Sequence, residues 1–284
     1  MGSSELTRVL GRRPGVGTAK AVLVAGQVAA RRVRPQPSPD GLRILYWHRV
    51  AEARDPLAIS PAAFRRQLDA IEASRVPIVD LYNLDDASLT AGERPLALTF
   101  DDGYHDVLEH AIPELERRGW PATVFVVPGA INGELEFDWY PIGQMPRLIG
   151  WDEMRTVESR GLVRFEPHSV THPVLPRVGP ERAKREIIDS KAAVELELGR
   201  EARVFCYPAG YFSDRDVNLV REAGYRCAVT CEFGVNEAPL ARPFMLRRTI
   251  VEPSDPLWVF SGRLRGATDV PPIGRRSRYI QPRA

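Results

Sequence analysis

Residues 97–104 read A-L-T-F-D-D-G-Y. The run Pro95–Phe100 is apolar and extended, as a buried strand would be, and it stops on two adjacent carboxylates, Asp101 and Asp102, followed by Gly103. Two negative charges so close repel, and at the end of a buried strand they need compensation. Outward from this point, strand and helix signals alternate. Leu42–Tyr46, Pro77–Leu81, 122–127, Leu162–Phe165, Val204–Tyr207 and Tyr225–Thr230 read as strands. Ser60-Pro61 opens a helix in which Phe64, Leu68 and Ile71 recur at helical spacing, with Ser as N-cap and Pro at the first helical position. Further helices are predicted over Asp106–Arg118 despite Pro113, over Trp151–Arg160, over Glu181–Leu198 and over Asp214–Ala223. Such alternation predicts an α/β fold, a parallel sheet with helices outside it, open or closed into a barrel. Chemistry in these folds gathers at the C-terminal ends of the strands, where Asp101 and Asp102 fall. Gly103 lets the backbone turn there and leaves both carboxylates at the rim.

The chain has 284 residues, 44% hydrophobic and 27% charged, ordinary values for a globular protein with a core. Its net charge of +2 is too near neutral to point to a nucleic-acid partner. Three proline residues in R-P-Q-P-S-P-D-G (34–41) form a stiff linker. The linker divides the chain into a basic N-terminal arm (1–40), a folded body (41–252) and a Pro/Gly/Arg-rich stretch from Pro253 that reads as a loose basic tail (253–284). The apolar stretch A-V-L-V-A-G-Q-V-A-A (21–30) is too short to span a bilayer and ends in Arg31-Arg32, unlike a secretory cleavage site. The expectation is a cytoplasmic protein without signal peptide or transmembrane helix. Weak peripheral contact with a membrane through the basic arm is the lesser alternative. Cys206, Cys227 and Cys231 are an odd number without framework spacing, which suggests reduced, mostly buried thiols.

What can compensate the paired carboxylates? Of the five histidines, His168 and His172 form H-S-V-T-H just after a predicted strand. On one helical turn, side chains four apart share a face and can grip one ion. Two imidazoles and a carboxylate suit zinc or another divalent transition metal and leave positions open. One aspartate would then ligate the cation while its neighbour stays ionised and takes a proton from water as general base.

T-F-D-D-G-Y (99–104) with H-S-V-T-H (168–172) resembles the polysaccharide deacetylase family, the NodB-homology carbohydrate esterases (family 4). Y-W-H-R-V (46–50), S-P-A-A-F-R-R-Q-L (60–68), P-A-T-V-F-V (121–126), W-D-E-M (151–154), F-C-Y-P-A-G (205–210) and R-E-A-G-Y-R (221–226) extend the likeness, in order, over roughly 42–250. The resemblance implies a distorted (β/α) barrel in a single domain and metal-dependent removal of an N-acetyl group from an amino sugar. N-formyl is the lesser alternative. It implies Asp101 as catalytic base, Asp102, His168 and His172 as metal ligands, and the backbone N–H of Ala209 as oxyanion donor. The implied cation is Zn2+, with Co2+, Mn2+ or Ni2+ as substitutes, and the implied partner is an N-acetylated sugar or glycan.

Departures accompany the match. Where the family often places an arginine that orients the base, this chain has Cys206, and the family's late Leu-x-His, which supplies the general acid, is replaced in F-M-L-R-R-T-I (244–250). The general acid is therefore unassigned: His48 at the end of the first strand reads as lining the site, and His105 at a helix entrance is a further candidate. Trp139 and Tyr140 could stack on a sugar, whereas Trp151 reads as core, and Cys206 is a distant candidate for a fourth ligand. A rival reading is a carbohydrate-binding pseudoenzyme that keeps the fold without turnover.

Overall fold

The computed structural model describes residues 40–85, 89 and 94–264. The expectations for the N-terminal arm, its 21–30 stretch included, and for 265–284 lie outside the described residues. In chain order the elements are β1 (Arg43–Trp47), β2 (Arg49–Val50), β3 (Ala58–Ile59), α1 (Pro61–Ser74), β4 (Leu96–Phe100), α2 (Ile112–Arg117), β5 (Ala122–Val126), α3 (Pro128–Ile131), α4 (Trp151–Glu158), β6 (Val163–Pro167), α5 (Pro180–Leu198), β7 (Val204–Cys206), α6 (Asp214–Glu222), β8 (Cys227–Val229), β9 (Arg248–Ile250) and α7 (Leu257–Leu264).

Five strands form one parallel sheet in the order β6-β5-β4-β1-β9, and β7 pairs with β8, also in parallel. The two sheets join at both ends, so the strands curl into a distorted barrel. On one side Leu246, just before β9, bridges Val229 of β8. On the other side no ladder links β6 to β7, and side chains close the gap instead. The carboxylate of Glu166 on β6 accepts from the Arg203 and Val204 N–H groups, each at 2.6 Å, and from Arg200 at 2.6 Å. Opposite faces of each strand meet different cores, as a two-residue period requires. Leu45, Leu98, Val124 and Phe165 face the helices, whereas Ile44, Ala97, Phe125, Val204 and Leu246 fill the barrel. Continuing that inward alternation to the C-terminal ends places His48 after β1, Asp101 after β4, His168 after β6 and Cys206 on β7 at one rim, and the side chain of Arg248, the first residue of β9, reaches that rim from within the barrel.

Local chemistry explains the element boundaries. Ser60 Oγ accepts from the Ala63 N–H at 3.2 Å and caps α1, whose buried face is Phe64, Gln67, Leu68 and Ile71. The helix expected over Asp106–Arg118 is split into a π-helical turn (Val107–Ala111) and α2. Pro113 lacks the N–H that would continue the α pattern, so the turn before it widens and Ile112 N–H bonds to Val107 O. The strand expected over Pro77–Leu81 shrinks to one bridge, Ile78 to Leu96, since Pro77 offers no donor for a longer ladder. The loose tail expected from Pro253 is corrected for 257–264: α7 buries Val259 and Phe260, and Arg263 donates to Ile250 O at 3.0 Å. Among the described residues no helix is long and apolar enough to cross a membrane.

Candidate metal centre

β4 delivers its two aspartates to different surroundings. Asp101 continues the inward face of the strand, and its N–H bonds to Trp47 O at 2.9 Å. Arg248 meets its carboxylate with two parallel bonds, Nη1 to Oδ1 at 2.6 Å and Nη2 to Oδ2 at 2.8 Å. That guanidinium is 1% exposed. It lies over the Tyr46 ring at 4.2 Å and donates through Nε to Thr230 O at 2.9 Å. Burial alone would raise the Asp101 carboxyl, but the Arg248 charge overrides it and holds the group below the usual carboxylate range.

Asp102 has left-handed backbone (φ 71°), and Gly103 follows at φ 72°, where a Cβ would approach Val126 Cγ1 to 3.0 Å. The turn swings the Asp102 carboxylate toward His168 and His172, with Oδ1 3.8 Å from each Nε2. Burial, and then the charge of Asp101, pushes Asp102 well above its ordinary value. His168 donates from Nδ1 to Cys206 O at 2.7 Å, which leaves the Nε2 lone pair facing Asp102. Burial lowers the imidazole to about 4, and desolvation followed by the neighbouring His168 lowers the half-buried His172 well below its ordinary value. Both rings are therefore neutral donors near pH 7.

The geometry suits a cation. A separation of 3.8 Å is too long for a hydrogen bond, whereas ligands about 2.0–2.2 Å from a shared ion sit roughly 3.4 Å apart. Two neutral imidazoles and a buried carboxylate without a cationic partner of its own are a matched donor set. The histidines are not on a helical turn, contrary to the expectation. They lie in an irregular loop after β6, where left-handed backbone at Ser169 (φ 61°) and His172 (φ 55°) folds them together. Ser169 Oγ accepts from His172 N–H at 3.0 Å, and Glu186 accepts from Thr171 N–H at 2.8 Å. Of the five described non-glycine residues with positive φ, Asp102, Ser169, His172 and Ala209 belong to this rim. Strained backbone gathers where side chains must converge.

Other sequence candidates sort by position. His48 is half-buried at the rim, close enough to Asp101 and Arg248 for their charges to act on it, and burial lowers its pKa. Ala209 (φ 51°, ψ 13°) sits in the short turn Pro208–Gly210 after β7. His105 is withdrawn from the rim, because its ring nitrogens pair with Glu153 at 3.1 Å and Glu109 at 3.3 Å. Trp151 packs against the core and donates to Asn132 Oδ1 at 2.9 Å. Trp139 and Tyr140 flank the site, Trp139 meeting the His172 ring edge-on at 5.1 Å. The Cys206 thiol lies 3.2 Å from Arg248 Nη2 and 3.9 Å from both Asp101 and His168, so Asp101, His168 and Cys206 make a second ligand-range trio sharing His168. The cysteines are free thiols, but Cys231 is only half-buried. Arg248 was the residue sequence reasoning missed. Its signal was an arginine at an inward position of L-R-R-T-I, between Leu246 and Ile250.

A family model described as Polysaccharide deacetylase matches residues 88–228, a span holding Asp101, Asp102, His168, His172 and Ala209. The chain belongs to the polysaccharide deacetylase family. YxkH of Bacillus subtilis (strain 168), which carries the name of a polysaccharide deacetylase, is 27% identical over 142 residues. The match covers 50% of this chain and 46% of YxkH, so it spans about half the length of that curated relative. The fold of this deacetylase-family chain is similar to that of the Streptococcus pyogenes deacetylase PplD, solved with acetate (TM-score 0.65, 23% identity, 76% of this chain and 94% of that one). It is also similar to IcaB from Ammonifex degensii (TM-score 0.67, 23% identity, 80% and 97%). The distorted α/β barrel of this chain is thus of the NodB-homology type.

Proposed function

We propose that this chain is a metal-dependent hydrolase that removes an N-acetyl group from an amino sugar in a glycan or glycan precursor. The observation that carries the reading is the division of labour between neighbours: Asp101 is held ionised by Arg248, while Asp102 meets two neutral imidazoles at 3.8 Å. Asp102, His168 and His172 would hold the cation, zinc by donor type. That cation would supply Lewis acidity, polarising the acyl carbonyl and making water more acidic. Asp101 accepts the proton of the attacking water, and its bidentate pairing fixes the oxygens while it does so. The Ala209 N–H is the proposed donor to the oxyanion that forms as the carbonyl becomes tetrahedral. His48 is the proposed acid that protonates the departing amine, being the histidine at this rim that neither faces Asp102 nor is tied to a glutamate.

The test is acetate release from N-acetylglucosamine oligomers and lipid-linked N-acetylated sugars, with zinc, with chelator and with Asp101→Asn. Release that needs zinc and is lost in the variant is the expected result. Zinc binding with no release from any substrate overturns the hydrolase reading. Sugar binding that survives Asp101→Asn in an inactive parent would turn the assignment to the pseudoenzyme.

A further inference from the structure

The loop between α3 and α4 is anchored to the metal side of the rim through aromatic side chains and one strap. Phe137 stacks on Trp139 at 4.4 Å, and the Trp139 indole sits edge-on to His172 while its Nε1 donates to the Tyr104 hydroxyl at 3.2 Å. Tyr104 is two residues after Asp102 and fully buried, and its hydroxyl lies beside both the Asp102 carboxylate and the Tyr140 hydroxyl. Tyr140 in turn donates to Asp55 Oδ2 at 2.8 Å. Asp55 is held from behind: Arg49 Nη1 donates to the same oxygen at 2.5 Å, and Leu57 N–H donates to Oδ1 at 2.8 Å. Arg49 also reaches Asp106 at 2.8 Å, and its guanidinium covers the Tyr104 ring at 5.3 Å. The contacts therefore close a ring, from Asp102 through Tyr104, Tyr140, Asp55 and Arg49 back to Tyr104.

We infer that Tyr140, strapped to Asp55, is a positioning residue for the metal centre, fixing the Tyr104 hydroxyl and Trp139 so that Asp102 and His172 stay at ligand separation. The inference rests on the proposed function only in taking Asp102 and His172 as ligands. Three observations support it. Asp102 and His172 both have left-handed backbone, so neither is held by regular secondary structure and both need outside support. Tyr104 contacts Asp102, Trp139 contacts His172, and the two are joined by the Trp139–Tyr104 hydrogen bond. The Asp55 end of the ring is charge-assisted and half-enclosed, with Asp55 and Arg49 side chains 9% and 11% exposed. Groups that orient metal ligands typically change metal affinity about 10–100-fold when removed.

Tyr140→Phe deletes the strap's hydroxyl and keeps its ring, and Asp55→Asn weakens the same link from the other end. Zinc affinity is read directly, by competition with a chromogenic chelator, for the parent, both single variants and the double variant. Each single variant should lose about 10-fold in zinc affinity or more. The double variant should lose little beyond the worse single one, because both changes cut one link. A merely structural role would lower the metal-free melting temperature and leave zinc affinity untouched. Affinity within two-fold of the parent in Tyr140→Phe overturns the inference, and that variant decides it if Asp55→Asn does not fold. A parent that binds no zinc overturns both this inference and the proposed function. A parent that binds zinc, weakened by Tyr140→Phe, but deacetylates nothing overturns the function alone.

Discussion

Asp101 and Asp102 are consecutive, chemically identical, and live in opposite surroundings. Asp101 shares its charge with Arg248 at 2.6 and 2.8 Å and stays ionised below the ordinary range. One residue on, Asp102 is pushed well above that range by burial and by its neighbour, with neutral imidazoles across from it at 3.8 Å and the Tyr104 hydroxyl beside it in place of a guanidinium. A single left-handed residue and a glycine separate the two fates. The lesson is that a carboxylate's role is set by what other strands bring to it. β9 supplies a fixed cation to one aspartate, and the other is left with a vacancy in charge that a mobile cation can fill.

That contrast can be broken at several points. The largest effect is expected on the Asp102 side: Asp102→Asn should abolish zinc binding, seen by elemental analysis after dialysis, and with it acetate release. Asp101→Asn should lower kcat/KM by about 10²–10⁴-fold, the usual worth of a general base, while zinc stays bound. Equal zinc loss in both variants would erase the distinction. Arg248→Met leaves Asp101 buried without its cation, a change that costs about 3–5 kcal/mol in denaturant unfolding. Because burial is then unopposed, the Asp101 carboxyl rises, and the acid limb of the pH–kcat/KM profile must move to higher pH.

A gentler test uses pH on the metal-free protein. His168 takes a proton at 6.5 when unfolded and at about 4 when folded. Between those values the unfolded chain binds more protons, so stability rises with pH and is lost as pH falls through the window, by about 3 kcal/mol from this group. A pH dependence between pH 4 and 6.5 that is the same in the parent and in His168→Phe would mean His168 is not buried neutral. The smallest effect is expected at Cys206→Ala, about 1 kcal/mol for one buried atom and little change in turnover. A large loss of zinc there would show that the thiol takes part in binding.

Much of the fold was legible, since strand and helix signals are local and their order implies the barrel. The convergence of Asp102, His168 and His172 was legible for the same reason: Asp-Asp-Gly and HxxxH are short-range patterns, although the histidines converge through strained loop backbone and not through a helical turn. The surroundings of Asp101 were not. Arg248 reaches Asp101 across 147 positions, and the Cys206 position suggested that the orienting arginine was missing. The barrel places β9 next to β1 and brings a guanidinium in from another strand. α7 was hidden for a compositional reason: prolines and arginines around 253–276 outweighed the buried pair Val259 and Phe260. Glu166 was equally silent, because a carboxylate that replaces a strand ladder has no sequence pattern.

Anomalous diffraction at the zinc edge, from crystals grown with zinc, tests the central claim most directly. One peak about 2.0–2.2 Å from Asp102, His168 and His172 is the predicted result, with Asp101 still clasped by Arg248. A peak held instead by Asp101 and Cys206, or no peak at this rim, would contradict it.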